Sequence, residues 1–268
     1  MTEKKFALIT GASSGIGQAF ARKAASAGFN VAITARRQDR LEALAKEIRD
    51  EYGVSVDVFV KDLSVVEAGE RLIEEIAAQG HSIDMLINNA GFSIASGFLG
   101  VDMARHRAFL ELTVNAPVAL AHGVLPGMIA RGWGRIINIS SITAYSSGGK
   151  GHTLYPGGKS FLLKMAQSLS AEVKEKGVNV TAVMPGFVAT EFQQANGMAD
   201  KMDAGPTKHL QQTPEEIVEE AWRRNESGVE LVVPGLAPKA MACAMQALPE
   251  SLTRMMTRRA AEKYYIGD

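Results

Sequence analysis

With 268 residues, 46% of them apolar, the chain is long enough for one α/β domain with a large buried core. Its 29 basic and 29 acidic residues cancel, so no general attraction to nucleic acid or to an anionic membrane is expected, and a small ligand is favoured. The single cysteine, Cys243, excludes an internal disulfide and a cysteine-based metal site, and no metal site is predicted. The first residues, MTEKKFALIT, contain no long apolar signal region, which indicates a reducing, cytoplasmic location.

Short apolar runs rich in β-branched residues alternate with longer segments that have apolar residues at helical spacing. The runs are FALIT, NVAITA, VSVDVFV, DMLIN, GRIINIS, NVTAVM and ELVVPG. Parallel strands need crossover connections, and strands covered on both faces read as continuous apolar runs. The alternation predicts one α/β domain over residues 1–268, a doubly wound parallel sheet of about seven strands with helices on both faces.

Local signals mark several helices in this pattern. Capping boxes at residues 64–67 and 213–216 predict two helix starts, the second with Pro214 at the first helical position. The longest uncharged stretch, residues 114–130, contains asparagine, histidine, proline and glycine, which favours a buried helix over a membrane span.

A glycine-rich segment, TGASSGIG, follows the first predicted strand and precedes a helical pattern. Gly11, Gly15 and Gly17 would permit a tight turn and let backbone N–H groups approach a pyrophosphate at the helix N-terminus. The segment therefore predicts a dinucleotide site, with a purely structural glycine turn as the alternative.

Further motifs follow in chain order. They are Asp62 in KDLS, NNAG at 88–91, Asn115 in LTVNAPVAL, Ser141 in GRIINISS, Tyr155 and Lys159 in YPGGK, and PGFVAT at 185–190. With these motifs, residues 6 to about 235 resemble the short-chain dehydrogenases/reductases. The resemblance implies a Rossmann-like fold and an oxidoreductase that transfers hydride between a nicotinamide cofactor and a carbonyl or alcohol group.

The resemblance also assigns cofactor-binding residues. Besides Tyr155 and Lys159 they are Gly11, Ser13, Ser14, Gly15, Ile16, Gly17, Asp62, Leu63, Asn89, Ala90, Gly91, Pro185, Gly186, Val188 and Thr190. Asp62 and Leu63 are expected to border the adenine, and residues 89–91 to line the ribose side of the cofactor.

The end of the second predicted strand indicates which dinucleotide binds. It reads ITARRQDRL, with Arg36 and Arg37 and no acidic residue before Asp39. An acidic residue there would bind the ribose hydroxyls of NAD, whereas arginine accommodates the additional phosphate of NADP. NADP(H) is therefore predicted, and the alternative is that both arginines merely begin a solvated helix face.

The segment YPGGK is predicted to open a helix, with Pro156 as its first residue and Tyr155 just before it. Lys159 follows one turn later, so its ammonium is expected to lower the tyrosine pKa. Gly157 and Gly158 are expected to leave space for a ligand. By the resemblance Tyr155 is the acid in ketone reduction and Lys159 its electrostatic partner; the alternative is a packing tyrosine.

Two further catalytic residues are assigned by the resemblance. Only one of Ser140 and Ser141 can point into the cleft, and alignment with the family selects Ser141 to hydrogen-bond the substrate carbonyl. No histidine has a convincing triad relation to it, which argues against a serine hydrolase. Asn115 matches the family asparagine that holds a relay water, in a helix disturbed by Pro117. An ordinary buried amide is the alternative.

Two segments are expected to shape the substrate site and the assembly. Residues 187–213 mix Phe187, Phe192, Met198 and Met202 with polar residues, as expected for a substrate lid over an apolar pocket. Residues 236–268 are predicted as a C-terminal helical extension that packs on the body or on a subunit, with a peripheral membrane contact as the alternative. We expect this extension to prevent tetramer formation and leave a homodimer.

These features predict an NADP(H)-dependent reductase of an apolar ketone or aldehyde, such as a 3-oxoacyl, steroid-like or aryl carbonyl compound. Two alternatives remain open, a sugar-nucleotide epimerase or dehydratase on the same fold and a non-catalytic NADP-binding scaffold. The glycine spacing and the lack of a substantial C-terminal substrate domain count against the first. The presence of Ser141, Tyr155 and Lys159 counts against the second.

Overall fold

The computed structural model describes residues 4–94, 96–151, 153–188 and 211–264, with side chains described up to residue 259. Within these ranges the strands are β1 (Phe6–Thr10), β2 (Asn30–Ala35), β3 (Val56–Val60), β4 (Met85–Asn88), β5 (Gly134–Ile139), β6 (Val178–Val183) and β7 (Leu231–Val232). The helices are α1 (Gly15–Ser26), α2 (Gln38–Tyr52), α3 (Ala68–Ala78), α4 (Met103–Leu110), α5 (Ala116–Ala130), α6 (Tyr155–Val173), α7 (Pro214–Glu226), α8 (Leu236–Ala247) and α9 (Glu250–Tyr264).

The seven described strands form one parallel sheet in the order β3-β2-β1-β4-β5-β6-β7. The chain winds from β1 outward to β3, then returns past β1 and continues from β4 to β7. Connections from β1 and β4 consequently leave in opposite directions, which opens a cleft at the carboxyl ends of these two strands. The predicted doubly wound, Rossmann-like fold is confirmed.

Two apolar clusters cover the two faces of the sheet. In β1, Ala7 and Ile9 belong to the cluster that includes buried residues of α1, α2 and α7. Phe6 and Leu8 belong to the cluster that includes buried residues of α3, α5, α6 and α8. Because strand side chains alternate between faces, one apolar run supplies both halves of the core, and each fully buried large side chain contributes about 1.5–3 kcal/mol.

The two predicted capping boxes have different outcomes. At α7 the Thr213 hydroxyl accepts from the Glu216 N–H and the Glu216 carboxylate accepts from the Thr213 N–H, as predicted. At α3 the prediction is wrong, because the helix begins only at Ala68 and Glu67 lies outside it with φ of 61°. The Ser64 hydroxyl instead donates to the Asp62 carboxylate at 2.6 Å, so nearby side-chain pairing replaces the cap.

One helical stretch, Met103–Ala130, is long and apolar enough to cross a membrane by length and composition, with a mean hydropathy of 1.4 and 39% of its most apolar window buried. Core helices of globular proteins meet the same criteria, so this is weak evidence for a span. Leu120, Val124 and Met128 of α5 pack in the core against the sheet, as the predicted buried helix requires.

Candidate active site

The glycine turn, residues 11–17, connects β1 to α1 at the cleft. Gly11 and Gly15 have φ of 66° and 56°, in the left-handed region that favours glycine. An added Cβ at Gly17 would lie 2.3 Å from the Gly11 carbonyl oxygen. The spacing of the glycines is therefore required for α1 to pack this closely against the turn.

A hydrogen-bond cluster attaches the turn to the end of β4. The Asn89 carboxamide donates to the carbonyl oxygens of Thr10 and Gly11 at 2.9 and 3.2 Å. The Thr10 hydroxyl accepts from the N–H groups of Asn89 and Ala90 and donates to the Ile87 carbonyl. The sequence reasoning missed Thr10, although its position directly before the first glycine was available as a signal.

The N-terminus of α1 has the properties of an anion site. Ser14 is the N-cap residue, yet its hydroxyl does not cap the helix, and the first turn carries no acidic residue. Ile16 packs against the apolar core, which fixes the orientation of the turn. The initial backbone N–H groups and the helix dipole are thus directed at the cleft, and they suit the pyrophosphate of a dinucleotide.

The two arginines after β2 lie beside the glycine turn and Asp62. The Arg37 guanidinium donates to the Ser13 hydroxyl at 2.9 Å and to the Ser14 hydroxyl at 2.8 Å. Arg36 lies 3.8 Å from the Asp62 carboxylate, and its side chain is 70% exposed. Two guanidinium groups and two hydroxyls are therefore grouped at one end of the cleft, where they suit an additional phosphate.

Asp62 and Leu63 follow β3 on the same side of the cleft. Burial acts to raise the pKa of the Asp62 carboxyl, but hydrogen bonds from the Ser64 hydroxyl and N–H, together with Arg36, outweigh it and lower the pKa. Asp62 is consequently ionised and able to accept hydrogen bonds at neutral pH. Leu63 is buried and packs within the core cluster that includes Leu72.

The two serines after β5 point to different partners. The Ser140 hydroxyl is buried and donates to the Lys159 carbonyl oxygen at 2.6 Å. The Ser141 hydroxyl accepts from the Thr143 N–H at 3.2 Å and makes a hydrogen bond with the Tyr155 side chain. Ser141 is thus the serine that contacts the predicted acid, while Ser140 attaches β5 to α6.

Lys159 is 5% exposed and lies one turn after Tyr155 on α6. Its ammonium donates to the Ile139 carbonyl oxygen at 2.8 Å and lies 5.6 Å from the centroid of the Tyr155 ring. An added Cβ at Gly91 would lie 3.7 Å from the ammonium nitrogen, so β4 and α6 meet at this point. The structure thereby brings the NNAG and YPGGK motifs together.

The pKa values of the two groups move in opposite directions. Burial raises the pKa of Tyr155 to about 12, although the hydrogen bond with Ser141 acts to lower it. Burial lowers the pKa of the Lys159 ammonium to about 8. Burial is the largest influence on the Tyr155 pKa in this structure, and a lowering of that pKa by Lys159 stays a prediction.

The start of α6 departs from the prediction at two points. The helix begins at Tyr155, one residue earlier than predicted, because the Leu154 carbonyl already accepts from the Gly158 N–H at 2.9 Å. An added Cβ at Gly158 would lie 2.9 Å from Thr113 and 3.1 Å from Phe109, so this glycine permits close helix packing rather than ligand access. Only Gly157 faces open space.

Asn115 ends a π-helical turn, Glu111–Asn115, between α4 and α5. The predicted disturbance of the helix is confirmed, but the side chain is exposed, so the alternative of a buried amide is wrong. Its carboxamide donates to the Glu111 carboxylate at 2.7 Å. Glu111 was missed, although a spacing of four residues on a helix signals such a pair.

The PGFVAT motif follows β6. The Pro185 carbonyl accepts from the Ile142 N–H, and Gly186 lies against Pro238 of α8. Val188 forms an isolated parallel bridge with Gln212. Thr190 and most of the predicted lid, with Phe192, Met198 and Met202, lie outside the described residues.

The sequence profile of the short chain dehydrogenase family matches residues 5–201. The chain belongs to the short-chain dehydrogenase family. The family resemblance drawn from the motifs is thereby confirmed, and so is the enzyme class, an oxidoreductase acting on CH–OH and C=O groups.

Individual relatives agree with this membership. The 3-oxoacyl-[acyl-carrier-protein] reductase FabG of Aquifex aeolicus is 36% identical over 188 residues, which cover 70% of this chain and 75% of that protein. A structure from work on 7beta-hydroxysteroid dehydrogenase stereoselectivity has a TM-score of 0.85 and 28% identity, covering 94% and 96% of the two chains. A short-chain dehydrogenase from Sphingobium yanoikuyae in complex with NADPH has a TM-score of 0.79 and 29% identity, covering 94% and 95%. The NADPH complex of the last of these proteins, together with the family membership, supports NADP(H) binding by this short-chain dehydrogenase.

Proposed function

We propose that this short-chain dehydrogenase reduces an apolar ketone or aldehyde to the alcohol with NADPH, and runs the reverse oxidation with the same residues. The observation that carries the proposal is the contact between Ser141 and the Tyr155 hydroxyl, with Lys159 one helical turn away at the carboxyl edge of the sheet. A hydroxyl pair beside a buried ammonium is suited to binding a carbonyl oxygen and moving a proton to it.

The cofactor would lie along the glycine turn. Gly11, Gly15 and Gly17 with the α1 N-terminus would hold its pyrophosphate, and Lys159 would hold its nicotinamide ribose. When bound, NADPH supplies the hydride that the carbonyl carbon receives. Gly91 lies beside this group on the β4 side, where an added Cβ would be 3.7 Å from the Lys159 ammonium nitrogen.

Proton transfer would use Tyr155. With a pKa of about 12 the hydroxyl is protonated at neutral pH, so it can donate to the oxygen that gains negative charge. Ser141 would hold the same oxygen by a second hydrogen bond. Asn115, oriented by Glu111, would hold the water that returns a proton towards Lys159.

Preference for NADP(H) over NAD(H) is supported by the group at the end of β2. Arg36 and Arg37 supply two guanidinium groups, and Ser13 and Ser14 supply two hydroxyls. A planar guanidinium pairs with phosphate through two parallel hydrogen bonds, which a ribose hydroxyl of NAD cannot match.

An apolar substrate is supported by the side chains near the cleft loops. Phe98 is 52% exposed and stacks on His106, while Tyr145 and Ile142 lie in the turn that begins at Ser141. One relative is described as a 3-oxoacyl-[acyl-carrier-protein] reductase, and one similar structure comes from work on a 7beta-hydroxysteroid dehydrogenase. We therefore favour 3-oxoacyl, steroid-like or aryl carbonyl compounds, with residues 187–213 as the lid.

A homodimer through α5 and α6 fits the exposed apolar side chains on these helices. Val118 of α5 is 43% exposed and Phe161 of α6 is 37% exposed. Pairing these helices with those of a second copy would remove both side chains from water.

A panel of carbonyl compounds assayed by NADPH absorbance, with NADH in parallel, tests the proposal. We expect consumption of NADPH with bulky apolar ketones, weaker activity with charged sugars, and a clear preference for NADPH. Absence of turnover with every ketone and aldehyde, while NADPH still binds, would contradict the catalytic proposal. Equal rates with both cofactors would contradict the proposed preference.

A further inference from the structure

The turn that begins at Ser141 is short; Ile142 anchors its start through the bond of its N–H to the Pro185 carbonyl and through burial in the core, and the later residues are held mainly by hydrogen bonds within the turn. We call residues 141–147 the serine turn. Its 3-10 segment is Ile142–Tyr145, with Ser141 as the N-cap residue. The Ala144 N–H donates to the Ser141 carbonyl, and the hydroxyl of Ser146 donates to the Thr143 carbonyl. A segment this small needs outside contacts to fix its position.

Helix α8 contacts the first half of the serine turn. Pro238 packs against Gly186, where an added Cβ would lie 2.7 Å from the proline ring and 3.8 Å from Ile142. Met241 and Met245 pack against the same apolar cluster as Ile142 and Tyr145. The apolar face of α8 therefore supports the turn from one side.

Helix α9 contacts the last residue of the serine turn through Thr253. The two hydroxyl oxygens of Ser147 and Thr253 lie 3.1 Å apart, and Thr253 is 5% exposed. The Thr253 hydroxyl donates its one hydrogen to the Glu250 carbonyl at 3.0 Å. Because a hydroxyl has a single donor, Ser147 must donate to Thr253.

The contact at Thr253 is narrow. Leu252, Met255 and Met256 on the same helix are 43%, 44% and 53% exposed, and Ser251 is exposed as well. Along the part of α9 whose side chains are described, Thr253 is the one buried residue. This polar side chain, rather than an apolar stripe, therefore connects α9 to the body of the protein.

We propose that Thr253 is a positioning residue for Ser141 and Tyr155: through Ser147 it fixes the end of the serine turn, while α8 fixes its beginning. This inference deepens the proposed function and rests on it for its catalytic consequence. The C-terminal helices would then act on the carbonyl-binding pair without touching substrate. A serine turn that shifts weakens the hydrogen bond between Ser141 and Tyr155, and the reaction loses alignment.

Three variants test the proposal on the full chain. Thr253→Val removes the hydroxyl at nearly constant volume, Thr253→Ser retains it, and Ser251→Ala is a matched control on the exposed side of α9. With the apolar ketone that gives the highest rate, we expect Thr253→Val to lower kcat about fivefold to tenfold while KM and the NADPH Kd change less than about twofold. Thr253→Ser and Ser251→Ala should resemble the wild type.

The pH profile separates positioning from general damage to the fold. Because the Ser141 hydrogen bond lowers the pKa of Tyr155, its weakening should move the acidic limb of alcohol oxidation to higher pH, by roughly half a unit in Thr253→Val. Ser147→Ala should give a shift of the same sign. A lower kcat without this shift would overturn the proposal, and so would a loss of NADPH affinity as large as the loss of kcat.

Hydrogen exchange gives a readout independent of turnover. The amides of Thr143, Ala144 and Ser146 are bonded within the serine turn and should exchange about tenfold faster in Thr253→Val than in Ser251→Ala. Unchanged exchange overturns the proposal whatever the activity. If the wild type shows no carbonyl turnover, the proposed function fails, and the exchange comparison still decides whether Thr253 holds the turn.

Discussion

The charged groups at the two ends of the cleft differ in their exposure to water. At the glycine-turn end, Arg36 is 70% exposed and pairs with Asp62 at 3.8 Å across partly solvated space. At the catalytic end, Lys159 is 5% exposed, and its ammonium donates to a backbone carbonyl. Water screens the first charge, whereas the second is surrounded by protein.

This difference separates recognition from reactivity. Exposed guanidinium groups contribute to binding when a phosphate comes within hydrogen-bonding distance. Buried groups have altered pKa values before any ligand binds, as Tyr155 and Lys159 do. One end of the cleft is therefore suited to selecting a cofactor, and the other to moving a proton.

The largest effect is expected for Tyr155→Phe, which removes the proton donor and keeps the ring. Steady-state kinetics should show carbonyl reduction slowed about 10²–10⁴-fold. NADPH fluorescence titration should give an unchanged Kd, because the phenol is at the reactive end. A rate within twofold of the wild type would show that another group donates the proton.

Arg36→Ala combined with Arg37→Ala tests the exposed end. We expect NADPH affinity to fall about 10²-fold and NADH affinity to change little, since charge-assisted hydrogen bonds to phosphate are lost. Titrations at low and high salt should show that the NADPH advantage of the wild type shrinks as salt rises. Matched losses for both cofactors would contradict the assigned role of the arginines.

Lys159→Met tests the buried end through stability. Keeping the Lys159 ammonium protonated in the folded protein, with its pKa moved from 10.5 to about 8, costs about 3 kcal/mol. The methionine variant does not carry this cost. It also loses the hydrogen bond to the Ile139 carbonyl, which offsets part of the increase in stability. Urea unfolding at pH 7 should therefore show a variant about 1–2 kcal/mol more stable than the wild type.

The pH dependence of the free energy of unfolding tests whether burial of the Lys159 charge causes this difference in stability. Between pH 8 and 10.5 the unfolded wild type binds more protons at Lys159 than the folded form, so wild-type stability rises with pH there. The advantage of the variant should shrink across this range. Tyr155, with a pKa of about 12, makes the stability fall as the pH rises above 10. It is present in both proteins, so its effect cancels in the comparison. A stability difference between variant and wild type that stays constant from pH 8 to 10.5 would exclude burial of the Lys159 charge as its cause.

The smallest effect concerns the adjacent glycines of α6. Gly157→Ala should raise the free energy of unfolding by up to about 1 kcal/mol, since alanine favours the helix and its Cβ meets no atom within 4 Å. Gly158→Ala, the matched variant, should lower it by about 1–3 kcal/mol, because its Cβ would press on Thr113 and Phe109. Equal changes in urea unfolding would contradict this assignment of the two glycines.

The sequence by itself determined the order of elements, the glycine turn and the family. These follow from local patterns: apolar runs specify strands, glycine spacing specifies a tight turn before a helix, and Tyr155 with Lys159 follows at a fixed interval. The capping box at Thr213 worked for the same reason, since all its partners lie within one helical turn.

Only the tertiary structure decided how those residues behave. Gly158 packs against Phe109, Thr253 meets Ser147 from 106 residues away, and burial sets the pKa values of Tyr155 and Lys159. Steric contact and desolvation depend on atoms that are distant in the chain and become neighbours only when the sheet and helices pack. A local pattern can therefore identify a tyrosine and a lysine, but the surrounding protein sets their proton affinities.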